Sequence, residues 1–244
     1  MKSPLFVPRA YREKHAVAGR RAFTVQCRDT DLWIAADAAL EPAARRAALA
    51  RRTELESYIA LHRDFLNALT PLPDDADAPP IAREMLAASR LAGVGPMAAV
   101  AGAIAEAVGR ELLAYSPEVI VENGGDIFLK SERPVLAEVF AGNSPLSGKL
   151  AYEIETGARG CGLCTSSGTV GHSLSFGKTD AVTILSASAA IADAFATAVG
   201  NSVQNKDDIP AALEYAKKYP EIKGCAIIVG GAIGLCGDLR VVKL

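Results

Sequence analysis

The chain has 244 residues, half of them hydrophobic and 22% charged, with 26 Lys and Arg against 28 Asp and Glu for a formal net charge of −2. This mix supplies enough apolar surface for a sizeable core and excludes disorder as the main state. The near balance of charge excludes a polybasic surface, so neither nucleic acid nor an anionic membrane is expected as a partner.

Pro4, Pro8, Arg9 and Arg12 interrupt any apolar stretch near the start, and no charge-free run reaches about 20 apolar residues, so neither an export signal nor a membrane span is expected. The expected location is the cytoplasm. Cys27, Cys161, Cys164, Cys225 and Cys236 make an odd count, which without an export signal reads as reduced thiols.

In chain order, AFTVQC and DLWIAA around Arg28–Asp31 predict an opening β-hairpin. From Glu41 to Leu69, apolar residues recur at three- and four-residue spacing, which predicts a long helix or a helical pair. Segment 71–80, PLPDDADAPP, can hold neither helix nor ladder and is expected as a surface loop or linker. A short helix is expected over Ile81–Leu91, and an Ala-rich helix with proline in its first turn over Pro96–Leu113, its Ala and Gly content implying close packing. Strand signals follow at 119–121, 127–129, 135–140, 150–154 and 181–185. Helices are then expected at Ser186–Val199 and Pro210–Lys218, and a closing hairpin of Cys225–Val229 with Ile233–Val242 around Gly230–Gly231. This order predicts an α+β fold, a single domain over residues 1–244 with a mixed or antiparallel sheet and packed helices.

Five stretches could carry chemistry. Gly93-Val94-Gly95-Pro96 before a helix mimics a dinucleotide-binding fingerprint, but the segment before it reads as helix where the fingerprint needs a strand. A helix end, a glycine turn and a new helix is the favoured reading. Asn123-Gly124-Gly125-Asp126 sits between two strands, where paired glycines serve either a plain hairpin turn or a close backbone approach to a ligand, with Asp126 beside them. The run from Cys164 to Lys178, holding Thr165, Ser166, Ser167, Gly168, His172 and Lys178, offers many donors for phosphate or carboxylate oxygens, and His172 suits a proton-handling role. The P-loop spacing fails there, because Gly171 precedes Gly177 by one residue too many. The bland alternative is a polar loop that caps strands. Asp193 and Thr197, four apart on an apolar helix, put a carboxylate and a hydroxyl on one face, where both could hold Mg²⁺ that keeps some of its waters. Cys161-Gly162-Leu163-Cys164 is half of a zinc site unless Cys225 and Cys236 complete it, and free cysteines often serve as small buried hydrophobes.

Taken together, ENGGDI, the Thr-Ser-Ser-Gly run with His172, and SASAAIADAFATAVGN resemble the ApbE superfamily, the FAD:protein FMN transferases, in the same order along the chain. The resemblance covers roughly residues 93–201. It implies a flavin-nucleotide pocket with Mg²⁺ and FAD or another flavin nucleotide. Asn123, Gly124, Gly125, Asp126, Thr165, Ser166, Ser167, Gly168 and Lys178 would bind the ligand, Asp193 and Thr197 the metal, and His172 and Asp193 would be catalytic. The chain departs from the transferase pattern where DPxTG is replaced by Ser175–Asp180, where small residues around Pro96–Ala99 replace a helix Lys, and where a Met-Gly-Thr motif is absent. TSSGTVGHSLSFGKTDAV is more similar to the uncharacterised cytoplasmic ApbE-like branch of anaerobic prokaryotes, which is associated with homocysteine formation in sulfur assimilation. The expected partner is a small phosphate-bearing molecule. A non-transferase enzyme or accessory role in sulfur assimilation, with a partner protein, and self-association are the alternatives left open.

Overall fold

The computed structural model describes residues 19–169 and 176–244. Strands β1 (Arg21–Cys27) and β2 (Thr30–Ala36) form the expected opening hairpin, turning at Arg28, whose φ of 55° is left-handed. The expected helical pair is α1 (Glu41–Leu61) and α2 (Arg63–Asn67). Segment 71–80 is a loop up to Pro79, with Pro80 opening α3 (Pro80–Ala92). It is tied down, since Tyr58 donates to Asp75 at 2.7 Å and Ala78 is buried in the helix-side core. Gly93 ends α3 in a left-handed conformation with φ 74°, which is the helix–turn–helix reading and not a strand-borne fingerprint.

The single helix expected over Pro96–Leu113 is divided into a tight 3₁₀ turn at Pro96–Ala99 and α4 (Val100–Leu112). Then follow β3 (Val119–Asn123), β4 (Asp126–Lys130), β5 (Val135–Glu138), β6 (Leu150–Ile154), β7 (Cys161–Ser166), β8 (Ala181–Ser186), α5 (Ala189–Asn201), α6 (Ile209–Ala216), β9 (Ile222–Val229), β10 (Ala232–Gly237) and β11 (Arg240–Lys243). Two corrections concern strands. β7 occupies a stretch that the sequence presents as cysteines and a polar run. The segment expected as one closing strand breaks at Gly237 (φ 71°), where a Cβ would lie 2.2 Å from the Lys223 carbonyl, so β11 leaves the hairpin to pair with β6.

Eight antiparallel strands in the order β1-β2-β3-β4-β7-β8-β9-β10 form the main sheet, and β11-β6-β5 form a second, smaller one. Side chains alternate between the faces of a strand, so one strand serves two cores. From β8, Val182 and Ile184 join the core under the helices, with Phe128, Phe195 and Met85, while Ala181 and Leu185 join the core against the small sheet, with Trp33, Leu129 and Tyr152. Burial on both faces explains why the strands of this antiparallel sheet read as continuous apolar runs. Among the described residues, no single helix is long and apolar enough to cross a membrane.

Candidate functional site

The site is assembled where the β3–β4 turn, the start of α4 and the middle of α5 meet. Asn123 and Asp126 are paired across a two-residue turn in which Gly124 and Gly125 both take positive φ, 73° and 108°. Only glycine tolerates the pair of left-handed positions easily, so the plain hairpin reading of this motif holds for the backbone. The turn also aims its side chains. Asn123 Nδ2 donates to the Ala101 carbonyl at 3.1 Å, Glu122 Oε1 accepts from the Gly125 amide at 2.9 Å, and Asp126 points into the helix side of the sheet, opposite Cys164.

Glycines bring α5 against this corner. A Cβ on Gly102 would lie 2.2 Å from the Ala189 carbonyl oxygen, and one on Gly162 would lie 2.3 Å from Ala189 Cα. Only bare backbone at both positions lets α5 rest on α4 and β7 together. The closeness lets the Gly102 amide donate to Asp193 Oδ2 at 2.9 Å, so Asp193 caps the free N–H groups of the first turn of α4.

Two buried carboxylates therefore face one low-dielectric region. Asp193 is pushed up to about 7, chiefly by burial, against the lowering effect of the Gly102 and Ala101 amides. Asp126 is pushed well above the usual carboxylate range, first by burial and then by the Asp193 charge, with Glu122 adding to it. The Cys164 thiol, 3.3 Å from the Ala189 carbonyl, is pushed up by burial and by both aspartates, so it is no nucleophile in this setting. Asp126 Oδ1 is buried with no hydrogen-bond partner among the described residues, and such an atom costs free energy unless something satisfies it.

The other expected residues are placed as follows. Thr197 is half-buried, one turn beyond Asp193 on the same helix face. Thr165 turns its side chain to the opposite face of β7, where its hydroxyl meets that of Thr183 at 2.8 Å, and only its backbone approaches Asp126. Ser166 returns to the helix side and is buried toward Gly200. Ser167 accepts from the Thr169 amide at 3.1 Å, and Gly168 packs so closely on the Gly177 carbonyl that a Cβ would lie 2.2 Å away. Lys178 is exposed, its amide bonded to the Val203 carbonyl at 2.9 Å. His172 lies outside the described residues. The geometry thus gathers Asn123, Asp126 and Asp193 and leaves the Thr165 and Lys178 side chains apart from them.

Cys161 and Cys164 do not share a face: three positions apart on a strand they point oppositely, Cys161 into the inter-sheet core and Cys164 under the helices. Half of a zinc site does not form from them. The residues not foreseen are Ala101 and Gly102, for which the Gly-and-Ala composition of α4 was the available signal.

Among the described residues, no three His, Cys, Asp or Glu side chains gather as a metal cluster. Two carboxylates and a hydroxyl are nonetheless the hard oxygen donors that Mg²⁺ takes while keeping waters, and the orphaned Asp126 oxygen is what such an ion would satisfy. The donor set fits. An open groove of about 500 Å³, lined by Gly93, Val94, Ala198, Asn201 and Tyr215 among others, runs beside the C-terminal half of α5 without including the aspartates.

Comparison with known proteins agrees with this architecture. Residues 14–235 match the profile of a family described as AbpE bacteria. A UPF0280 protein of Methanococcus aeolicus is 41% identical over 201 residues, covering 80% of this chain and 81% of that one. A UPF0280 protein of Methanocella arvoryzae is 40% identical over 221 residues, covering 90% of each. The crystal structure of the apo form of the Pseudomonas stutzeri flavinyl transferase ApbE superimposes with a TM-score of 0.53 at 14% identity, over 89% of this chain and 93% of that one. The Thermotoga maritima ApbE protein does so with a TM-score of 0.55 at 13% identity, over 88% and 96%. At such identities the two structures share the fold.

Proposed function

The chain belongs to the AbpE bacteria family, with an ApbE-like fold, and on that premise we propose that it binds a phosphate-bearing flavin nucleotide together with Mg²⁺ at the Asp126–Asp193 corner. One observation carries the proposal: among the described residues, Asp126 and Asp193 are buried within reach of each other's charge with no basic side chain beside them, and an oxygen of Asp126 has no hydrogen-bond partner there. Buried carboxylates are ordinarily neutralised by a basic side chain or a metal. Asp193 and Thr197 would hold Mg²⁺, with Asp126 supplying a further oxygen. Bound there, the ion would neutralise charge on a diphosphate and polarise its phosphoryl oxygen. The likeness to a flavinyl transferase supports flavin as the ligand class.

The protein's own groups have separable tasks in this reading. The Ala101 and Gly102 amides orient Asp193, and Asn123 fixes the first turn of α4 against the glycine turn. Gly124 and Gly125 allow close approach of a ligand, and His172 moves a proton. Transfer of the flavin moiety is the fullest form of the reading, with Asp193 and His172 as its catalytic residues.

Thermal unfolding with FAD, FMN, ADP and AMP, each with and without Mg²⁺, tests it. A ligand at 100 times its Kd stabilises by about 2.7 kcal/mol. The expected result is a Mg²⁺-dependent rise in Tm with FAD that Asp193→Asn abolishes. A chain that responds to none of these ligands overturns the proposal.

A further inference from the structure

A second reactive feature lies three and four strands from Asp126, at the edge of the main sheet. Cys225 on β9 and Cys236 on β10 are directly opposed partners in the antiparallel ladder, with the Gly230–Gly231 turn centred between them. Both face the helix side, where Cys225 belongs to the core and Cys236 packs against it from the edge. Opposed residues of an antiparallel pair have Cα atoms about 4.5–5.5 Å apart, inside the range of about 4.4–6.8 Å that a disulfide spans. Their thiols are hydrogen-bonded to each other. Opposed Cβ atoms lie about 4.5–5.5 Å apart, a little beyond the about 3.5–4.5 Å of a disulfide, so a small adjustment of the edge strand links them.

The two sulfurs are not equivalent. Cys225 is fully buried, whereas Cys236 is half-buried on an edge strand beneath α6, its Sγ 4.0 Å from the Leu213 carbonyl. Lys217, just past the end of α6, favours a thiolate at Cys236, and Glu214, which is paired with Lys217, opposes it. The hydrogen bond from Cys225 is the largest influence and, against burial and Glu214, holds the Cys236 thiol down at about 7, while the same bond and burial raise Cys225. Cys161 and Cys164, by contrast, are buried with raised thiols and face opposite cores.

We infer that Cys225 and Cys236 form a thiol modification site, in which Cys236 is the attacking and Cys225 the resolving cysteine toward small-molecule disulfides. The Cys236 thiolate attacks one sulfur of a disulfide R–S–S–R, forming a Cys236–S–S–R bond and releasing one RS⁻. With Cys236 capped, its charge no longer opposes ionisation of Cys225, which gives up its proton and attacks Cys236 Sγ, forming the Cys225–Cys236 bond, breaking the bond to R and expelling the second RS⁻, which takes up that proton. Two protein thiols are oxidised, one disulfide is reduced to two thiols, and the two protons leaving the cysteines end on the two RSH products. The product ties the edge strand β10 to β9.

The test is to treat the full chain with oxidised glutathione under native conditions, quench free thiols with an alkylating reagent and map the peptides by mass spectrometry. The expected product is a Cys225–Cys236 linked peptide, lighter by two hydrogens than the reduced pair and reversed by a dithiol reductant. In Cys225→Ala the glutathione adduct should persist on Cys236, because the resolving thiol is gone. Should that variant fail to fold, the wild-type map decides alone. A lasting glutathione adduct on Cys236 in the wild-type chain, or no link between the two while the chain remains folded, overturns the inference.

Discussion

The contact between α4 and α5 holds two buried carboxylates that are placed alike and partnered differently. Each helix caps the other: Asp193 of α5 accepts from the Gly102 amide of α4, and Glu106 of α4 accepts from the Ala189 amide at 2.6 Å and the Ser188 hydroxyl at 2.8 Å. Glu106 Oε1 also accepts from Arg110 Nε at 2.8 Å and Nη2 at 2.5 Å, so both its oxygens are satisfied and its charge is neutralised within the chain. Asp193 has amides for donors, and its carboxylate neighbour is another acid. The first arrangement is complete as it stands and serves the fold. The second gathers two carboxyls with no basic side chain beside them among the described residues, which makes sense if a cation completes it.

Substitutions should separate the two. The largest effect is expected at Glu106→Ala, which leaves two α5 donors and the Arg110 charge without their acceptor. Breaking such a buried network costs about 3 kcal/mol, and urea unfolding should show it as a lower midpoint at unchanged slope. Asp193→Asn should behave in the opposite way, with its fold retained and its Mg²⁺-dependent ligand stabilisation of about 2.7 kcal/mol lost. If Asp193→Asn unfolded the chain as readily as Glu106→Ala, the distinction between the two carboxylates would fail. Gly102→Ala should cost about 1–3 kcal/mol, because the added methyl must displace α5 from the Ala189 carbonyl.

The pH dependence follows from the sign of the Asp193 shift. Its folded value of about 7 exceeds the ordinary 3.8, so the folded state holds the proton more tightly than the unfolded one. That contribution to stability is fully present below pH 3.8 and is lost as pH rises through about 7. Without metal, the stability of the chain should fall from about pH 4 to about pH 7 more steeply than that of Asp193→Asn. Equal profiles would remove the charge argument. The smallest effect is expected at Arg110→Ala: the Arg110 side chain is 45% exposed, so its loss should cost no more than about 1 kcal/mol.

How much of this was legible in the sequence depended on whether a residue's role is local. Asp193 stood out because a lone carboxylate in an Ala-rich helix needs a partner, and Asp126 because two glycines announce a turn. The partners themselves are non-local: Gly102 and Asp193 are 91 positions apart. Strand β7 escaped notice because Cys161–Ser166 has too few branched or aromatic residues to signal a strand. Without that strand, the alternation that sends Thr165 to one core and Ser166 to the other could not be assigned. Cys161 and Cys164 are the small buried hydrophobes that free cysteines often are, but without the strand they could not be assigned to separate cores. Cys225 and Cys236 were opposed as soon as the Gly230–Gly231 turn was placed, yet the chemistry follows only from α6 packing above them.

The most direct test of the central claim is calorimetric titration of FAD into the protein with and without Mg²⁺, for the wild-type chain and for Asp193→Asn. The account predicts one FAD bound per wild-type chain in Mg²⁺ and none by the folded variant. Equal binding by both, or no binding by the wild-type chain, would contradict it.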